Sequence, residues 1–113
     1  MTDVVIVLTT VPVGDQGEAL ARRLIDDRLA ACVNLLAPMT SFYRWNGAVE
    51  RDVERQLVVK TTADRLPEVR ARLAAMHSYE LPEFLVLPVA DGSPAYLEWV
   101  RGETAVRDAE NTR

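Results

Sequence analysis

The dipeptide Asn46-Gly47 stands between two long stretches of alternating side chains, and it constrains this chain more than any other feature. Both residues tolerate positive φ, so the pair predicts a two-residue type I′ turn closing a β-hairpin. The turn fixes the register. Trp45 faces Ala48, Tyr43 faces Glu50, Ser41 faces Asp52 and Met39 faces Glu54. Alternation places these residues on one face of the ribbon, and Phe42, Val49, Arg51 and Val53 on the other. The arms run from about Ala31 to Trp45, broken near Pro38, and from Val49 to Thr61. A domain of this length cannot cover such a ribbon entirely, so its aromatic and acidic face is expected to meet another subunit.

The other elements follow from periodicity. Val4-Val5-Ile6-Val7-Leu8 is a β-branched run expected as a strand buried on both faces. After Val11-Pro12-Val13-Gly14, Asp15 and Glu18 resemble a capping pair, and Leu20, Ala21, Leu24 and Ile25 form one helical stripe. Asp64 is a candidate cap for a second helix carrying Pro67 in its first turn and the stripe Leu66, Val69, Leu73 and Met76. Phe84 to Leu87 is a further strand, and Ser93-Pro94 opens a short terminal helix. The order is βαββαβ plus a helix. This is the ferredoxin-like, split-βαβ sandwich of the α/β (α+β) class, expected over residues 1–101, with a polar frayed tail over 102–113.

Composition excludes several functions. The formal net charge of −4 and the dispersed arginines argue against nucleic-acid binding. A lone cysteine, Cys32, forbids an intramolecular disulfide, a CxxC pair or an iron–sulfur cluster, and it reads as a small buried hydrophobe. No run approaches a membrane span or a signal segment, so no membrane partner is expected and a reducing cytoplasm fits best. No phosphate loop, nucleophile elbow or metalloprotease motif occurs, and no catalytic residue is assigned. The acidic stripe Glu50, Asp52 and Glu54 has neighbours about 6.6–7 Å apart, too far for one ion to be chelated by the strand alone. Pairing with arginines of another strand or subunit is expected instead.

The block Ser41-x-Tyr43-x-Trp45-x-Gly47, then Leu57-Val58-Val59-Lys60-Thr61, then His77-Ser78-Tyr79-Glu80-Leu81-Pro82-Glu83 closely resembles the CutA divalent-cation-tolerance family. Leu29-Ala30-Ala31-Cys32-Val33-Asn34 upstream and Tyr96-Leu97-x-Trp99 downstream complete the match, which runs from the first strand to about Trp99. The resemblance implies a homotrimer built like the PII signalling proteins, a link to divalent metals including copper, and no enzymatic activity. Some members supply a cysteine where this chain has Thr9, and a histidine where it has Met76. His77 remains as the strong donor with Glu83 as an oxygen partner, so the expectation is weak, pH-dependent Cu(II) binding, lost as His77 protonates. Tyr43, Trp45, Tyr79 and Glu80 are candidates for an interface or a pocket between subunits, with Trp45 as anchor. Lys60 is expected to pair with an acid or to meet an anionic ligand. The rival readings are a PII-like small-molecule sensor or assembly module, and a small acyl or phosphoryl hydrolase. The loop Thr9 to Gly14 lacks the arginine that such a hydrolase would need.

Overall fold

The computed structural model describes residues 2–106. Five strands and three helices follow in the order β1 (Val4–Pro12), α1 (Gln16–Asp26), β2 (Cys32–Leu35), β3 (Met39–Trp45), β4 (Ala48–Thr62), α2 (Leu66–Met76), β5 (Leu85–Pro88) and α3 (Pro94–Thr104). All pairings are antiparallel, with β1 and β4 central, β2 on the far edge of β4 and β5 on the far edge of β1. β2 and β3 are the two halves of the single arm expected from sequence, separated at residues 36–38, where Pro38 cannot donate to a ladder.

The hairpin register is the one set by the turn, from Met39 opposite Glu54 to Trp45 opposite Ala48. Asn46 and Gly47 carry φ of 50° and 81°. A side chain at Gly47 meets the left-handed penalty, so Gly47→Ala is expected to cost about 1–2 kcal/mol, read as a lower denaturation midpoint with an unchanged slope. β4 is 15 residues long and serves two parts of the fold in turn. Its second half pairs β1 and β2 in the body, and its first half pairs β3 in the projecting ribbon.

Alternation along β1 divides the core. Val7 and Val11 point to the face covered by α1 and α2, where Leu20, Leu24, Val69 and Leu73 pack on Leu57 and Val59. The helical stripes expected from sequence supply these residues, with Ile25 left at the exposed margin. Val4 points to the opposite face, where Leu97 and Val100 of α3 cover one end of the sheet. The rest of that face is open. Two cross-strand rows lie there: Cys32, Lys60, Ile6 and Leu87, and beside them Asn34, Val58, Leu8 and Leu85. The expectation that β1 is buried on both faces therefore holds within one chain for one face and for the end under α3.

Local differences have physical causes. Asp15 occupies the cap position of α1 in a helical conformation (φ −81°, ψ −15°), so its side chain makes no capping bond, and Glu18 lies instead near Arg22. Asp64 does not cap α2. It sits in a 3₁₀ turn over Ala63–Arg65 and accepts the Thr62 hydroxyl at 2.5 Å. Phe84 precedes β5 rather than opening it and packs against the core, with the Arg70 guanidinium 5.1 Å from its ring centroid. Ser93 caps α3 as expected, accepting from the Tyr96 amide. α3 runs past Gly102 to Thr104, whose buried hydroxyl donates to the Val100 carbonyl at 2.8 Å. Residues 107–113 of the expected tail lie outside the described residues.

Candidate functional site

Between α2 and β5 the chain crosses from Ser78 to Phe84 without regular structure, because Pro82 holds Leu81 away from the helical region. His77 anchors the start of this crossing. Its Nε2 lies 2.6 Å from the Thr10 carbonyl on β1, and its Nδ1 accepts the Tyr79 amide at 3.1 Å. A carbonyl only accepts and an amide only donates, so His77 is the neutral Nε2–H tautomer. The ring also stacks at 4.8 Å on Tyr79. Gln16 braces the same corner, donating to the Met76 carbonyl and accepting from Ser78.

Held this way, the crossing segment becomes one wall of a groove of about 720 Å³. The other wall is the aromatic and acidic face of the ribbon, with Tyr43, Trp45, Asp52 and Glu54, and Thr10 and Pro12 of β1 lie at the end. The crossing contributes Tyr79, Glu80 and Glu83. Among the described residues no lysine, arginine or histidine lines the groove. The Tyr43 hydroxyl donates to Asp52, and the Tyr79 hydroxyl donates to Glu54 at 3.1 Å. Glu83 accepts from Gln56, whose amide also donates to the Thr9 carbonyl. The acidic stripe thus takes tyrosine hydroxyls within the chain, where arginines were expected.

The phenols of both tyrosines are pushed up in this groove. The hydrogen bond to Asp52 comes first in pushing Tyr43 up to about 12, while burial comes first for Tyr79, also raised to about 12, with Glu54 next. The two phenols are expected to stay protonated well above the ordinary tyrosine range, which a spectrophotometric titration of wild type and Asp52→Asn checks. Because the folded values lie above the unfolded value near 10, their contribution to stability is complete below about pH 10 and is lost as pH rises toward about 12.

Four of the candidate residues, Tyr43, Trp45, Tyr79 and Glu80, therefore meet in one groove, together with Glu83. Lys60 does not join them. It stands on the open sheet face in the row with Cys32 and Ile6, and no acid pairs with it among the described residues. The metal pair His77 and Glu83 is not assembled as a chelate, because both imidazole nitrogens are bonded to backbone and Glu83 is engaged by Gln56. No group of three or more His, Cys, Asp or Glu side chains suited to a metal ion occurs among the described residues. Thr9, at the position of the family cysteine, is fully buried, and Met76 packs on the core. Cys32 is half-buried rather than buried. Thr10 and Gln56 were missed by sequence reading. Thr10 acts through its carbonyl, which has no sequence signal, whereas Gln56 was legible as a polar side chain inside a β-branched strand.

The family model for the CutA1 divalent ion tolerance protein matches residues 5–103. The chain belongs to the CutA1 family. It is 44% identical over 99 residues to the divalent-cation tolerance protein CutA of Thermus thermophilus, covering 88% of this chain and 96% of that one. It is 38% identical to the chloroplastic protein CutA of Arabidopsis thaliana, again over 88% of this chain but 55% of that longer one. Among solved structures, CutA from Xylella fastidiosa superposes with a TM-score of 0.88 at 40% identity, covering 91% of this chain and 99% of that one. The Thermus thermophilus structure gives 0.87 at 43% identity, covering 90% and 99%. The two solved structures share the ferredoxin-like fold, and the Thermus thermophilus relative is named for tolerance to divalent cations.

Proposed function

We propose that this CutA1 family protein is a non-enzymatic homotrimer that serves tolerance to divalent cations such as copper in the cytoplasm. The observation that carries the assembly is the open sheet face. Ile6, Leu8 and Val58 lie in its middle, and Leu85 and Leu87 at its β5 edge are 53% and 45% exposed in the single chain. A contiguous apolar surface of this kind marks a subunit contact. The ribbon adds Phe42, 69% exposed, and Val49, also exposed, neither of which lines the groove. Names of the family's members supply the link to divalent cations. No helix among the described residues is long and apolar enough to cross a membrane.

The chain's own side chains do not fit a tight copper site, since Cu(II) sites gather three or more donors and His77 has no free lone pair. The role in tolerance is accordingly read as one of assembly and weak cation contact. Light scattering coupled to size exclusion is expected to give three times 12.6 kDa. A monomer at micromolar concentration would remove this reading.

A further inference from the structure

The groove raises a question that divalent metal does not answer. Its carboxylates are spread along two walls and do not converge. Asp52 and Glu54 are same-face neighbours on β4 with Cα atoms about 6.6–7 Å apart, and among the described residues no three His, Cys, Asp or Glu side chains gather where one ion could be held. Each of the two already accepts one tyrosine hydroxyl, and an ionised carboxylate keeps further lone pairs for N–H donors. Glu80 and Glu83 face them from the crossing segment.

The second observation is independent of the acids. The aromatic side chains Tyr43, Trp45 and Tyr79 line the same groove. Ring faces attract cationic nitrogen and also shed water from methylenes, a combination that a hydrated metal ion does not use and an alkylammonium does. Among the described residues no basic side chain stands in the lining to offset these carboxylates.

We propose that this groove binds a short linear aliphatic polyamine, with successive ammonium groups paired to separate carboxylates and the methylene chain laid on the aromatic rings. A trimethylene or tetramethylene spacer divides the charge along the ligand, so carboxylates that do not gather around one ion can each meet an ammonium group of their own. Every wall comes from one chain, but Thr10, Pro12, Asp52 and Glu54 lie on the same side of the sheet as the open face, so the inference rests on an assembly that leaves this end of the face accessible.

Calorimetric titration of the full chain with spermidine, propylamine and Mg²⁺ at matched ionic strength tests it. Spermidine is expected to bind at least about tenfold more tightly than propylamine and to resist displacement by equimolar Mg²⁺, since each added charge-assisted contact is worth about a decade. Glu54→Gln and Glu80→Gln are each expected to weaken spermidine about three- to tenfold. Glu80 is exposed on the crossing segment, so its variant keeps the test valid if loss of the Glu54–Tyr79 bond disturbs folding. Absence of binding at millimolar spermidine, equal affinity for propylamine, displacement by equimolar Mg²⁺, or no change in Glu80→Gln would each overturn the proposal.

Discussion

Leu85→Glu is expected to separate the proposed trimer into single chains of 12.6 kDa while leaving each chain folded. Leu85 lies on the open sheet face next to Leu8 and is 53% exposed in one chain, so the substitution removes little from the monomer's core. In an assembly that covers this face, the same carboxylate is buried without a partner. Its row carries Asn34, Val58 and Leu8, none of them cationic, and an unpaired buried charge costs about 3–5 kcal/mol. Each chain contributes one such site, so dissociation is expected to shift by well over about a hundredfold. Light scattering reads the mass and circular dichroism the fold, with Leu85→Met as the volume-conserving control. A trimer that survives Leu85→Glu would place the interface elsewhere, most directly on the ribbon face of Phe42 and Val49.

His77→Ala is expected to destabilise the fold by about 2–3 kcal/mol without changing divalent-cation affinity. The imidazole ties the end of α2 to the Thr10 carbonyl and receives the Tyr79 amide, and alanine leaves both groups without their partners. Tyr79 also loses its stacking neighbour, so the groove wall is expected to loosen and the Tyr79–Glu54 bond with it. His77→Gln should recover part of the loss, since its amide can still donate to Thr10. Denaturant midpoints of the three proteins measure the stability. A Cu(II) titration separates the roles, because equal stability with lost copper binding would make His77 a ligand after all.

Much of the architecture was legible because it depends on local rules. Asn46-Gly47 dictates the hairpin register, and a strand period of two then assigns every side chain of the ribbon to a face. The stripes of α1 and α2 follow the helical period and land in the core, as Leu20, Leu24, Val69 and Leu73 show. Termini were less legible. Asp15 has a capping side chain but a helical backbone, and Gly102 looked like an ending although Thr104, two residues on, is buried against Thr62. Those outcomes depend on tertiary contacts that no local window contains. The site divides in the same way. Tyr43, Trp45, Tyr79 and Glu80 were picked out by residue type and motif, and the fold brings them together. Lys60 was grouped with them because it ends a strand motif; it shares their face of β4 but lies at the body end of the strand, beside Ile6 and Cys32 rather than the ribbon. His77 was read as a ligand because imidazole is a strong donor. Its role as a brace depends on the Thr10 carbonyl, sixty-seven positions away in sequence.

The length of β4 limits how relatives of this chain can vary. One continuous strand serves both the body, where Leu57 and Val59 must point to the helices, and the ribbon, where Asp52 and Glu54 must point to the groove. An odd insertion between these stretches would flip the ribbon's faces and present Phe42 and Val49 to the groove in place of the tyrosine and the acids. Length changes in the hairpin can therefore persist only as whole pleats, matched on both arms. The ribbon can grow or shrink at its tip in such steps, while its two faces keep their separate identities.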